Sequence, residues 1–342
     1  MSPELRRDLL IGLILLAGAI ALPFLADSRY VIGQVILLFF YVIIASQWNL
    51  LYGFAGIFSL AQLALFGFGA YVTAMLGYYF GWSVWVAMPI AGVATVLFSV
   101  LIGFACLRLT GAYVALLTLA IAQVMYVLIV TDTDCFRMEG MTCRQFTGGA
   151  VGFARFGDLG TREWLRGEWL TGNYYIVLIL LVITLVFTWA VIRSPMGLAF
   201  RALRDNAGYA VARGISRFKY QLLVFGLSAF FTGLSGGLYA AHFRAIGPSI
   251  LSISLLLFLI AMAVVGGVGR FWGPVLGAVL LMLADEFLRE VGTYRTLGLG
   301  LILLLFVVLL PDGLLGLFEK MKDGLARRPR GGEAKHGTGL PR

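Results

Sequence analysis

Charge is what this chain has least of. Only 13% of its 342 residues are Asp, Glu, Lys or Arg, against about a quarter in a soluble domain. With 61% hydrophobic residues and a mean hydropathy of +0.94, the sequence is that of an integral membrane protein. Over residues 31–130, long enough for four spans, Arg108 is the one acid or base. Carriers driven by proton or sodium gradients use buried acids or histidines as relays, and these spans have none. Lysine occurs four times and never after glycine, which excludes a phosphate-gripping loop. Histidine occurs twice, as His242 and His336, too few for a histidine-rich metal centre. No Ser/His/Asp set or metal-ligand cluster is present, so neither catalysis nor a metal is expected on this chain. Energy for uphill movement of a solute would come from another chain.

What the sequence does have is apolar runs of spanning length, at 9–26, 31–51, 53–77, 83–107, 112–130, 173–192, 220–243, 251–269, 272–288 and 296–311. The first follows Arg6 and Arg7 as a signal peptide would. It is long, however, and Phe24, Leu25 and Ala26 before Asp27 form no cleavage site, so it reads as an anchor. Ten spans that start inside end inside. The count places Arg108, the basic stretch 193–219 and Lys320, Lys322, Arg327 and Arg328 in the cytoplasm, as the positive-inside rule requires. It places loop 131–172, with five basic and six acidic residues, outside. The net charge of +9 is therefore mostly topological, since six of the 26 basic residues lie in 193–219 and seven follow Leu310. Nucleic acid is not an implied partner; the lipid bilayer is. The expected architecture is an all-α polytopic membrane domain over 1–311, with a basic, disordered cytoplasmic tail over 312–342.

The stretch 193–219 (RSPMGLAFRALRDNAGYAVARGISRFK) is a polar island between apolar spans. It carries Arg193, Arg201, Arg204, Arg213, Arg217 and Lys219 against one acid, Asp205. Its composition predicts one helix over 198–213, stopped by Gly214. Ala202, Leu203 and Ala210 give that helix an apolar side, with Arg201, Arg204 and Asp205 at the rim. Such a helix fits a groove of a cytosolic partner, apolar side down. Rim charges contribute little, so Arg201→Ala is expected to weaken coupling only modestly.

The third run, GFAGIFSLAQLALFGFGAYVTAML from Gly53, is glycine-rich. On a helix Ser59, Gln62, Phe66, Gly69 and Thr73 share one face. That face is either a small-residue helix contact with a polar hydrogen bond or the lining of a path for a small polar solute. VVGGVGRFWGPVLGA, from Val264, reads as a tight cytoplasmic turn; runs three, eight and nine could each be broken or re-entrant. Asp285 and Glu286 are expected to snorkel to the outer boundary beside Arg289. Cys106 is a packing residue in an apolar run. Cys135 and Cys143, eight apart in the outer loop, are either a disulfide or two free thiols.

Three motifs carry a resemblance to a known family. GFAGIFSLAQLALFGFGAY at 53–71, LTGAYVALLTLAIAQ at 109–123, and SPMGLAFRALRDNAGYAVARGIS at 194–216 with the downstream LSAFFTGLSGGLYA and GGVGRFWGPVLGA stand in the family's order. Together they resemble the M-type permease subunit of branched-chain amino acid ABC importers. The resemblance implies a permease of about ten transmembrane helices with a cytoplasmic coupling helix in a bacterial inner membrane, both termini inside. It implies four kinds of company: a second related permease, two cytoplasmic ATPases holding ATP and Mg, an extracytoplasmic solute-binding protein and lipid. It makes Arg201, Arg204, Asp205, Gly214 and Ile215 the ATPase-coupling residues; Ser59, Gln62 and Thr73, from their shared helical face, and Gln123 are the candidates for the translocation path. Ile57, Gln62 and Gln123 depart from the family's usual glutamine, histidine and acid, and Ala207 from a glutamate. Urea, short amides and aromatic or other carboxylic acids are the alternative solutes. The rival of another class is a stand-alone channel or facilitator, against which the basic island speaks.

Overall fold

The ten apolar runs correspond to ten of the helices in a computed structural model that describes residues 3–25, 28–106, 109, 111–139, 142–165, 167–289, 292–309 and 313–317. Arg108, the tail cations Lys320, Lys322, Arg327 and Arg328, and His336 lie outside the described residues. In chain order the helices are α1 (Pro3–Leu25), α2 (Arg29–Asn49), α3 (Gln62–Phe80), α4 (Val84–Cys106), α5 (Ala112–Val130), α6 (Thr161–Trp164), α7 (Trp169–Arg193), α8 (Pro195–Asp205), α9 (Ala207–Ala212), α10 (Arg217–Phe243), α11 (Ile253–Gly266), α12 (Gly273–Arg289) and α13 (Arg295–Leu309). Seven of these are long and apolar enough to cross a membrane: α1, α2, α3, α4, α5, α7 and α10.

Helix α10 is the centre, packed along α3 and α4. Glycines permit this closeness. A Cβ on Gly236 would strike the Phe66 carbonyl, and one on Gly69 the backbone of Gly233. In lipid, where burial gives helices no reason to associate, such backbone approach is the main source of attraction. Helix α1 is peripheral, with no buried residue among the described side chains of Arg6–Leu25. Pro23 cannot donate to the carbonyl of Ala19, four residues back. That freed carbonyl accepts a hydrogen bond from Tyr174 Oη at 2.6 Å, and this bond is one of the few that hold α1 to the bundle.

Helix α11 has 14 residues, too few to cross, and the reason lies before it. The chain leaving α10 pairs strand β4 (Ala245–Ile246) with β3 (Phe153–Ala154), then forms the 3-10 turn Pro248–Leu251. The Leu251 side chain fills the space beside Gly67 of α3. Gly67 lies about thirteen residues, or roughly 20 Å, from the Phe80 end of that helix. The chain is therefore already deep in the bundle when α11 starts, and the non-helical segment and the short helix cross it together. Ile250 and Leu251 are buried in protein, which is where non-helical backbone is tolerated at membrane depth.

The loop before α7 is shorter than expected, since α7 begins at Trp169. It contains the hairpin of β1 (Arg137–Glu139) and β2 (Thr142–Arg144), and Cys135 and Cys143 are joined as a disulfide with Cα atoms 5.5 Å apart. Closing so short a loop contributes on the order of 2–3 kcal/mol. Unreduced peptide mapping is expected to recover both residues in one linked fragment; two separately alkylated thiols would contradict it. At the same end of the bundle Asp285 pairs with Arg295 at 2.5 Å, and Glu286 accepts from Tyr30 Oη at 2.8 Å. Arg289 is 3.9 Å from Glu286, so Asp285 has a different partner from the one its sequence neighbourhood suggests. Cys106 is a buried free thiol.

Candidate functional site

Two interruptions of the helices meet at the end of the bundle opposite the disulfide. The third apolar run is not one helix from 53. Helix α2 continues as a π-turn over Leu50–Phe54, residues 55–61 are not helical, and α3 starts only at Gln62. Ser59 therefore does not share a helical face with Gln62. The polar backbone of the break is satisfied by neighbouring helices, as it has to be inside an apolar body. Trp48 Nε1 donates to the Ser59 carbonyl at 2.8 Å, and Leu60 N donates to Thr118 Oγ1 of α5 at 2.9 Å. The second interruption is the turn 267–272 between α11 and α12, where Gly267 and Gly269 have φ of 117° and 77°. Asn49 ties the two together. Its Oδ1 accepts from Gly269 N at 2.8 Å and its Nδ2 donates to the Arg270 carbonyl at 2.9 Å. A Cβ on Gly53 would lie 2.5 Å from Gly269 N, so only glycine lets the two backbones meet.

The basic island lies against this junction. It is two helices, α8 and α9, and not one. Asn206 separates them in extended backbone (φ −153°, ψ 94°), and its side chain accepts from Tyr209 N, capping α9. At the far end Gly214 has φ 88°. Gly214 N donates to the Val211 carbonyl at 2.9 Å and Ile215 N to that of Ala210 at 3.1 Å, the two bonds of a Schellman stop. The apolar side of α8 is turned to the bundle, where Gly197, Ala199 and Phe200 are buried. The arginines also turn inward. Arg204 Nη1 donates to the Gly53 carbonyl at 2.5 Å, while Arg204 Nη2 and Asp205 pair at 2.9 Å. Arg201 Nη2 donates to the Ile192 carbonyl at 2.9 Å, and its guanidinium lies 5.6 Å from the Phe54 ring centre. The apolar side is therefore not free for a partner, while Arg204 and Asp205 stay at an exposed rim as expected. The bundle takes the apolar face and the half-buried Arg201, and holds the exposed Arg204 at its edge through the bond to Gly53. What faces away is Leu198, Tyr209 and Val211, 64%, 60% and 49% exposed.

The residues singled out for a path are mostly shut inside the protein. Ser59, Gln62 and Thr73 are at most 2% exposed. Gln62 Nε2 donates to Thr232 Oγ1 of α10 at 2.5 Å. Thr73 Oγ1 donates back to the Gly69 carbonyl at 2.9 Å and lies where a Cβ on Gly237 would go. In this conformation the α3 face is a helix contact. One feature departs from ordinary packing: Gln62 Oε1 is buried with no hydrogen bond, a costly state for a carboxamide. Gln123 is half-buried on α5 and joins no hydrogen bond with the others. Sequence reasoning missed Asn49, Thr118 and Thr232. The signal for Asn49 was the polar group Ser46, Gln47 and Asn49 closing an otherwise apolar run just before Gly53. Among the described residues no three His, Cys, Asp or Glu side chains gather as a metal requires.

The arrangement is mechanical, with a loop outside the bundle hydrogen-bonded to the point where two membrane elements unwind. Comparison with known proteins shows the family of the chain. Over 338 aligned residues the chain is 30% identical to the "High-affinity branched-chain amino acid transport system permease protein LivM" of Escherichia coli (strain K12), covering 92% of this chain and 77% of that protein. The protein of the same name from Salmonella typhimurium is 29% identical over the same shares. No solved structure matches the chain. The family described as "Branched-chain amino acid transport system / permease component" matches residues 30–310. The chain belongs to that family: it is a multi-pass membrane permease component of the branched-chain amino acid transport type.

Proposed function

We propose that the chain is one half of a heterodimeric pore that imports branched-chain amino acids, driven by ATP hydrolysis on partner subunits. The solute class is carried over from the two relatives, whose names state branched-chain amino acid transport. The complete importer would contain a second related permease, two cytoplasmic ATPases holding ATP and Mg, and an extracytoplasmic solute-binding protein. This chain itself hydrolyses nothing. Its basic end, with Arg6, Arg7 and the α8–α9 loop, is assigned to the cytoplasm by the positive-inside rule. That assignment puts the N-terminus and the tail 312–342 inside, and the disulfide outside a bacterial inner membrane, where an oxidised pair persists.

The observation that supports this reading best is the bond from Arg204 to the Gly53 carbonyl. A push on α8 and α9 reaches the break without crossing flexible chain, and Asn49 passes it on to turn 267–272. In the cycle, the loaded binding protein docks outside and ATP closes the ATPase dimer. The loop moves with it, and α3 and α10 part to free Gln62 from Thr232. The path then runs past Ser59, Gln62 and Thr73, with Gln123 on α5 facing it. Gln62→Leu keeps the volume but removes the carboxamide, so uptake is expected to fall about tenfold with assembly and basal hydrolysis retained. Unchanged uptake would make that face a packing contact in every state. The reading as a whole is tested by reconstituting the four kinds of subunit in liposomes. Labelled leucine should accumulate only with ATP inside and binding protein outside, and ATP-independent equilibration would indicate a facilitator.

A further inference from the structure

A cavity of about 230 Å³ opens beside the coupling loop. Three elements wall it: the break before α3, the end of α8, and the first two turns of α10. Ile57, Leu203 and Val224 give it apolar sides. On α10, Arg217, Gln221 and Val224 fall at steps of four and three and so line one face. Their chemistry is unusual for a gap between packed helices. Gln221 is 6% exposed, and its Oε1 is buried with no hydrogen bond. Arg217 forms no ion pair among the described residues, because Asp205 is held by Arg204 and Ala207 at the rim offers no charge. An exposed arginine without an ion pair, a buried glutamine whose oxygen has no partner and an apolar wall therefore border one small space.

We propose that this cavity binds an apolar α-amino acid from the cytoplasmic side and that its occupancy slows the transport cycle. The carboxylate meets the Arg217 guanidinium, a charge-assisted pair. The Gln221 amide, whose oxygen is turned away from the opening, rotates to accept from the ammonium, and the aliphatic side chain lies against Ile57, Leu203 and Val224. Such a ligand touches the break, α8 and α10 at once. It would favour the arrangement in which they are close and oppose any state in which they separate. The imported solute would thus restrain its own import as it accumulates inside. This inference rests on the amino-acid importer reading for the side from which the ligand comes.

The test uses the complete complex. Labelled leucine binding is measured on permease and ATPases without binding protein or ATP, and leucine uptake is measured in vesicles that are empty or preloaded with unlabelled leucine. The expected results are saturable binding and slower uptake and hydrolysis in preloaded vesicles. Arg217→Gln should weaken binding about tenfold and abolish the preload effect while uptake into empty vesicles stays normal. Gln221→Leu should weaken leucine but not 4-methylpentanoate, which has the carboxylate and side chain without the ammonium. Equal binding by the wild type and Arg217→Gln overturns the proposal, as does 4-methylpentanoate binding the wild type as well as leucine does. Displacement of leucine by phosphatidylglycerol but not by phosphatidylcholine would assign the cavity to a lipid headgroup and overturn it too. Absence of any leucine uptake contradicts the importer reading. Normal uptake that preloading does not slow contradicts this inference alone.

Discussion

Gly214→Val is expected to abolish the stimulation of ATP hydrolysis by loaded binding protein while the membrane helices insert normally. Gly214 is the left-handed residue of the Schellman stop that ends α9, with φ 88°. A β-branched side chain at such an angle costs about 1–3 kcal/mol. No neighbouring atom lies within 4 Å of where its Cβ would be, so the cost is backbone strain and not a clash. The chain can escape that strain only by leaving the turn. Doing so gives up the Ile215 bond to Ala210 and redirects α9, on which Tyr209 and Val211 face outward. Gly214→Asn, which tolerates positive φ, should keep most of the stimulation. Hydrolysis measured with and without loaded binding protein decides the matter, and normal stimulation in the valine variant would reduce the loop to a basic anchor.

Arg204→Ala should uncouple the machine from the other side. The variant loses a charge-assisted bond to a half-buried carbonyl, worth roughly 1.5–3 kcal/mol, and leaves Gly53 O without its partner. If that bond transmits the motion of α8, leucine moved per ATP hydrolysed falls at least about tenfold while hydrolysis continues. Arg204→Lys is the informative partial rescue. A lysine ammonium can reach the carbonyl, but it lacks the planar fork that also holds Asp205. An intermediate ratio is expected.

Apolar length made the helical bundle legible in the sequence, because lipid enforces it locally. The break at 55–61 was not legible in the same way. Phe54, Ala55, Ile57, Phe58 and Leu60 are as apolar as any span, and the glycines only permit unwinding. The hydrogen bonds that fix the break come from Trp48 and from Thr118, about sixty residues away. Helix α11 starts deeper than its apolar run implies for a related reason: Gly247 and Pro248 mark a turn, but its depth is set by the space beside Gly67. In the island the helical composition and the Gly214 stop could be read. The division at Asn206 was overlooked, although Asn is a common cap. Cations default to water, so nothing in the sequence signals that carbonyls near the π-turn and at the α7 end also receive Arg204, which stays exposed, and Arg201, which does not. Gln62 and Thr73 were chosen as the polar residues of an apolar run, and the partner that encloses them, α10, lies far along the chain.

If a loop outside the membrane drives the break inside it, one paired measurement shows it directly. Leucine uptake and ATP hydrolysis are followed in the same proteoliposomes for wild type and Arg204→Ala, with loaded binding protein outside. The account predicts continued hydrolysis with uptake per ATP at least about tenfold lower in the variant. An unchanged ratio in a correctly assembled variant complex would contradict it, because the Arg204–Gly53 bond would then carry no motion.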